Sequence, residues 1–139
     1  MANGEWRMEG GKPIRSYRDL DVWQAAMTLA VSCYEFTRPF PREEMFGLTA
    51  QIRRAGASVA ANIAEGHGRE RTLSFIHFLR IAQGSLKELE THIILASRVG
   101  LADKQSASDL VARCESLGRQ TRGLIRSLQR RADHDEEAR

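Results

Sequence analysis

Four arginines near the end of the chain have the spacing of a phosphate-binding surface. They are Arg119, Arg122, Arg126 and Arg130, and they are called the arginine stripe below. On a helix that turns by about 100° per residue they share an arc of about 80°, opposite an apolar seam. Guanidinium groups contact phosphates through charge and forked hydrogen bonds, and such binding weakens steeply with salt. The alternative is an ordinary solvated face whose arginines complement the helix dipole.

No residue pattern in the sequence indicates catalysis. The sequence has no HExxH, no Glu-x-x-His of the kind that di-iron bundles use, no P-loop and no dinucleotide fingerprint. The four histidines, which we expect at the surface or at an interface, are His67 in a glycine-rich loop, His77, His92 and His134. None has a Cys or carboxylate partner at a ligand spacing. We therefore expect a protein that is not an enzyme and has neither a cofactor nor a metal.

The composition is that of one globular domain. A chain of 139 residues with 42% hydrophobic residues can bury an ordinary core, and a net charge of +3 is only mildly basic. Any attraction for polyanions must therefore come from local clustering. Without a signal-peptide run or a membrane-length apolar stretch, the sequence predicts a soluble cytoplasmic protein. Cys33 and Cys114 lie inside apolar-periodic segments and are expected to be free, buried thiols.

Apolar residues recur at spacings of three and four in four segments, which predicts an all-α protein. The expected helices run from Asp19 or Asp21 to Thr37, from about Pro41 to Gly66–Gly68, from Thr72 to Val99 and from Asp103 to near Arg131. Short connections favour an up-down-up-down antiparallel four-helix bundle. The expected organisation is a flexible N-terminal arm over 1–16, the bundle over 17–131 and an acidic disordered tail over 132–139.

The first two helices carry more apolar surface than one bundle needs. Apolar residues of the first helix, Trp23 among them, cover an arc of roughly 200°. The second helix opposes its large residues with a face of small ones, which includes Ala50, Ala57, Ala60, Ala61 and Ala64. This alanine face either meets solvent or meets a second subunit. We favour self-association over an exposed alanine face.

Two polar residues of the second helix are candidates for fixing that assembly. Asn62 falls in the apolar seam, where a polar residue usually sets register through a hydrogen bond. Glu65 is three turns from Arg54, so we expect its partner on another helix or subunit. We interpret both residues as assembly determinants first and as a ligand site second.

Several longer runs resemble a known family. The most specific are QIRRA at 51–55, NIAEG at 62–66 and GSLKELETH at 84–92. Together with YRDLDVWQAA they resemble the 23S rRNA-intervening-sequence protein family of four-helix bundle proteins, over about residues 17–128. The family is related to the accessory variability determinant of diversity-generating retroelements. The resemblance implies a homopentamer around a central channel, and its retroelement branch has a basic surface that binds nucleic acid and a reverse transcriptase.

Three functional hypotheses follow. The first is a non-enzymatic homo-oligomeric helical scaffold that binds RNA or DNA backbone, or a nucleic-acid enzyme such as a reverse transcriptase, through arginine-rich helix surfaces. The second is a structural interaction module that binds an acidic protein. The third is an enzyme or small-ligand binder with a pocket at a subunit junction around Asn62, Glu65 and His67.

Overall fold

Four helices make up most of the protein in a computed structural model that describes residues 6–7 and 13–138. They are α1 (Asp21–Thr37), α2 (Leu48–Gly68), α3 (Thr72–Arg98) and α4 (Lys104–Glu137). Short 3-10 turns at Tyr17–Asp19 and Arg42–Glu44 precede α1 and α2. Within the described ranges the only strand pairing is a two-residue antiparallel ribbon of β1 (Trp6–Arg7) and β2 (Pro13–Ile14). The prediction of an all-helical protein with four helices is confirmed.

The described ends of the chain are more ordered than the sequence suggests. Ile14 is 3% exposed and joins the core, so this part of the expected flexible arm is fixed by burial. The rest of that arm, residues 1–5 and 8–12, lies outside the described residues. At the other end α4 continues to Glu137, beyond the expected stop near Arg131. Residues 132–137 are therefore helical, and nothing in their sequence breaks the helix. Arg139 lies outside the described residues.

Among the four α-helices only α4 has a side-chain hydrogen bond from its N-cap residue, and α2 begins later than expected. The N-cap of α1 is Leu20, without a side-chain hydrogen bond, while Asp19 closes a capping box with Ser16 on the preceding 3-10 turn. Glu44 accepts a hydrogen bond from the backbone N–H of Leu48 at 3.1 Å, which places the start of α2 seven residues after Pro41. Asp103, the expected start of α4, is its N-cap residue and accepts from the N–H of Ser106 at 2.8 Å.

Small residues let α2 approach both of its neighbours closely. Gly56 faces α1, where an added Cβ would lie 2.9 Å from the Sγ of Cys33. On α3, Ser85 and Ser58 of α2 share a hydrogen bond of 2.9 Å between their hydroxyls. The core between the helices contains the fully buried Ile52, Leu79 and many other apolar side chains. The small residues of α2 are thus required for its packing against α1 and α3 within a single chain.

Candidate nucleic-acid interface

The arginine stripe is fully on the outside of the bundle. Arg119, Arg122, Arg126 and Arg130 are all exposed. The residues opposite them on α4 form part of the core, and all of Leu117, Thr121, Leu124 and Leu128 are at most 8% exposed. The structure therefore places the stripe where the helical periodicity predicts it.

Acidic neighbours do not neutralise the stripe. The ion pairs found among residues 13–138 join Arg54 to Glu88, Arg69 to Glu65 and Lys87 to Glu90. No member of the stripe takes part in them, nor in the side-chain hydrogen bonds of the same residues. Solvated guanidinium groups keep their donors available for phosphate oxygens.

A groove between α3 and α4 runs beside the stripe. Its volume is about 380 Å³, and Arg119 and Arg122 line it from α4, while Lys87 and Gln83 line it from α3. We call it the α3–α4 groove. Its α3 residues were not among the sequence candidates, because their proximity to α4 depends on the register of the two helices. The available signal was Gly84, a glycine in the middle of a helix.

The alanine face divides into exposed and buried members. Ala57 and Ala61 are exposed and Ala64 is half-buried. Ala60, in contrast, is only 4% exposed within a single chain. The expectation that Ala60 lies on a free face of α2 is therefore wrong, because α2 packs against both α1 and α3 and its buried arc is wider than one seam. The expected part of Ala60 in assembly stays a prediction.

Helix α1 has a stripe of exposed apolar side chains at helical spacing. Met27 is 40%, Val31 57% and Tyr34 47% exposed. Trp23, one turn before Met27, is half-buried and packs edge-on against Tyr17 with ring centroids 5.2 Å apart. The excess apolar surface expected on α1 is thus present in the single chain.

Asn62 and Glu65 contact their own helix. Asn62 Nδ2 donates to the backbone oxygen of Ser58 at 2.8 Å and to its hydroxyl at 3.0 Å. Asn62 is half-buried, and Ile63 occupies the fully buried seam position beside it. Glu65 forms an ion pair with Arg69 at 3.3 Å, four residues on. Among residues 13–138 Glu65 has no ion pair with another helix, whereas Arg54 does reach α3 through Glu88 at 3.2 Å.

His67 lies in the last turn of α2 and not in a loop. Its ring packs edge-on against Phe75, with centroids 5.6 Å apart. Burial lowers the pKa of His67 below its ordinary value, and the nearby carboxylates of Glu70 and Asp19 oppose this shift. A neutral imidazole against an aromatic ring is a packing arrangement, so the geometry gives no support to catalysis by His67.

Cys33 and Cys114 are free and fully buried, as the sequence predicts. Burial raises the pKa of each thiol to about 12. Across residues 13–138 no three His, Cys, Asp or Glu side chains gather in a group that could hold a metal ion. Over the same residues, every helix is too short or too polar to cross a bilayer.

The comparison with known proteins agrees with the helices and with the motifs. Residues 18–123 match the family described as 23S rRNA-intervening sequence protein. The chain belongs to the 23S rRNA-intervening sequence protein family. This assignment confirms the resemblance, and the matched span includes α1–α3, the groove and the stripe residues Arg119 and Arg122.

A solved structure shows the same fold. It is a protein of unknown function from the S23 ribosomal protein family of Bacteroides thetaiotaomicron, to which this chain is similar with a TM-score of 0.67 and 23% identity. The similarity covers 75% of this chain and 97% of that chain. No curated protein matches the chain. The function of this member of the 23S rRNA-intervening sequence protein family is therefore inferred from its own surface.

Proposed function

We propose that this protein is a non-enzymatic homo-oligomeric scaffold that binds a nucleic-acid backbone through the arginine stripe. The observation that carries the proposal is the exposure of four arginines on one face of α4 without acidic partners among residues 13–138. Such a surface attracts a polyanion and carries no code for base identity. A nucleic-acid enzyme such as a reverse transcriptase is a further partner consistent with the same surface.

The proposed assembly uses the outer surfaces of α1 and α2. Thr37 of α1 accepts a hydrogen bond from Arg53 Nε of α2 at 2.8 Å, and the same guanidinium lies 4.5 Å from the centre of the Tyr34 ring. These contacts, with Gly56 against Cys33, support antiparallel packing of α1 on α2 and an up-down-up-down order. On such a pair of helices the apolar stripe of α1 is expected to lie beside Ala57 and Ala61. Burial of the α1 stripe and of these two alanines against a second copy of the chain would remove exposed apolar surface from water.

We propose five copies, the number implied by the family resemblance. A ring of identical chains repeats the arginine stripe once per subunit. Modest contacts by each copy then add through multivalency, because a polynucleotide held at one stripe is already close to the next. A single subunit is expected to bind much more weakly than the assembly.

The decisive test replaces all four stripe arginines with glutamine. Binding of short mixed-sequence RNA and duplex DNA is measured from low to physiological salt, together with oligomer mass and helicity. The wild type should bind with a steep salt dependence and little base preference, and the variant should lose both the affinity and the slope. Its mass and helicity should not change, since the stripe lies opposite the core.

The matched control is Arg113→Gln on the same helix. Arg113 Nη1 donates to Ser32 Oγ of α1 at 2.7 Å, so it lies on a different side of α4. Salt-insensitive binding by the wild type, or full binding by the quadruple variant, would overturn the proposal. Capture of an acidic protein without any nucleic-acid binding would favour the structural interaction module instead.

A further inference from the structure

The α3–α4 groove is lined by two glycines and by more positive than negative side chains. Gly118 and Leu86 meet at its base, where a Cβ on Gly118 would lie 4.0 Å from Leu86 Cδ1. On the α3 side, a Cβ on Gly84 would meet nothing within 4 Å. Both glycines lie inside long helices, where glycine costs about 1 kcal/mol relative to alanine. The fold of the single chain gives no reason for this cost at Gly84.

Three cationic side chains from the two helices line this groove. Arg122 Nη1 would lie 3.6 Å from a Cβ on Gly118, so its guanidinium extends over the glycine backbone. Arg119 lies one turn earlier on the same wall, and Lys87 lies on the opposite wall. Two carboxylates, Glu90 and Glu115, also line the groove, which leaves a formal net charge of +1 from three cations and two anions.

The two carboxylates differ in what they do. Glu90 has a largely buried side chain, 13% exposed, and accepts from Lys87 Nζ at 3.2 and 3.3 Å. An ammonium group has three N–H donors, so this pair holds Lys87 at the groove while leaving a donor free. Glu115 is exposed and has no ion pair among residues 13–138, so it opposes the binding of an anion.

We propose that the α3–α4 groove seats one phosphate group of the bound polynucleotide between Lys87, Arg119 and Arg122. The absence of side chains at Gly84 and Gly118 lets the sugar-phosphate backbone approach the helices closely. This inference rests on the proposed function, and it assigns a defined phosphate-binding site within the basic face of α4. It adds Lys87 and Gly84 of α3 to the residues that bind.

The first test is charge replacement on the groove walls. Lys87→Gln should weaken binding of short mixed-sequence RNA by about tenfold, the loss of one charge-assisted hydrogen bond. It should also lower the slope of log affinity against log salt by about one. Glu115→Gln should strengthen binding, because it removes the opposing carboxylate. Arg113→Gln, away from the groove, should leave the contribution of the groove intact.

The second test fills the groove from Gly84. Gly84→Ala should raise the melting temperature, since alanine favours the helix, and should weaken RNA binding less than Gly84→Gln does, because its side chain is a single methyl group. Gly84→Gln should retain the fold but weaken RNA binding by about tenfold, because its longer side chain enters the space of the phosphate. Both variants remove the glycine from the helix, but only the glutamine fills the groove. Comparing them therefore separates the effect of the filled groove on RNA binding from the effect of the substitution on helix stability.

The outcomes distinguish this inference from the proposed function. Loss of binding in the quadruple arginine variant with unchanged binding in Lys87→Gln and Gly84→Gln would overturn the phosphate site alone. Full binding in the quadruple variant would overturn the proposed function. Inorganic phosphate is added as a competitor at matched ionic strength. If it displaces RNA at a concentration similar to that of the RNA phosphates, the groove recognises the phosphate group alone and the connected backbone adds nothing, which would overturn a site for the polynucleotide.

Discussion

Gly66 of α2 lies so close to α3 that an added Cβ would be 2.6 Å from the Cβ of Phe78. The same Cβ would also be 3.2 Å from Cδ1 of Phe75. Two helices joined by the short segment Arg69–Arg71 can pack this tightly only if one of them lacks a side chain at the crossing. Glycine at this position is therefore a requirement of packing.

Opposite effects on stability are expected for two Gly→Ala substitutions. Gly66→Ala should destabilise the protein by about 1–3 kcal/mol, because the new methyl group overpacks the contact with Phe78. Gly84→Ala should stabilise it by up to about 1 kcal/mol, because its Cβ has open space and the helix gains propensity. Urea unfolding of both variants measures the difference. Equal stability of Gly66→Ala and the wild type would contradict the close approach.

Substitutions at exposed and at buried positions of the alanine face are expected to affect assembly and folding differently. The double variant Ala57→Glu, Ala61→Glu should remain helical, since exposed substitutions cost under about 0.5 kcal/mol each, but should have a smaller mass by light scattering. Ala60→Glu should instead unfold the chain, because it buries a carboxylate in the core. The control Ala112→Glu places the same charge at an exposed position of α4. Unchanged mass of the double variant would show that this face meets solvent.

His67 should make stability depend on pH in the mildly acidic range. Burial lowers its pKa in the folded protein below the ordinary value of 6.5, which the unfolded chain retains. The unfolded state therefore binds more protons in this range, and stability should fall as the pH drops below about 6.5. Urea midpoints measured across that range should show this slope in the wild type and a smaller one in His67→Gln. An identical slope in the variant would refute the assignment.

The two cysteines should react only when the protein opens. Both thiols are fully buried, and burial raises the pKa of Cys33 and of Cys114 to about 12. Because the thiolate is the nucleophile, alkylation near neutral pH should be very slow in the native state. Rapid labelling should appear in urea at the midpoint of global unfolding. Fast labelling of either cysteine in the folded protein would indicate local opening of α1 or α4.

Features set by local periodicity were predictable from the sequence, and features set by contacts between helices were not. The exposure of Arg122 and the burial of Leu124 follow from the helical repeat of α4 alone. Ala60 was misassigned because its burial depends on how α1 and α3 together enclose α2. The proximity of Lys87 to Arg119 depends on the register between α3 and α4, which apolar patterns specify only loosely. The ion pair of Glu65 with Arg69 was not predicted, because Arg69 is the C-cap residue just beyond the end of α2.

The length of the basic stretch of α4 would limit how much polyanion one subunit holds under the proposed function. From Arg119 to Arg130 the helix rises by about 16 Å at 1.5 Å per residue. Beyond that stretch the helix becomes acidic, with Asp133, Asp135, Glu136 and Glu137 in its last turns. At about 3.4 Å per phosphate along one strand of a duplex, the basic stretch matches about five phosphates. The acidic turns would repel a strand that continued along the helix axis, so in the proposed assembly a longer nucleic acid would leave α4 sideways and continue on another subunit.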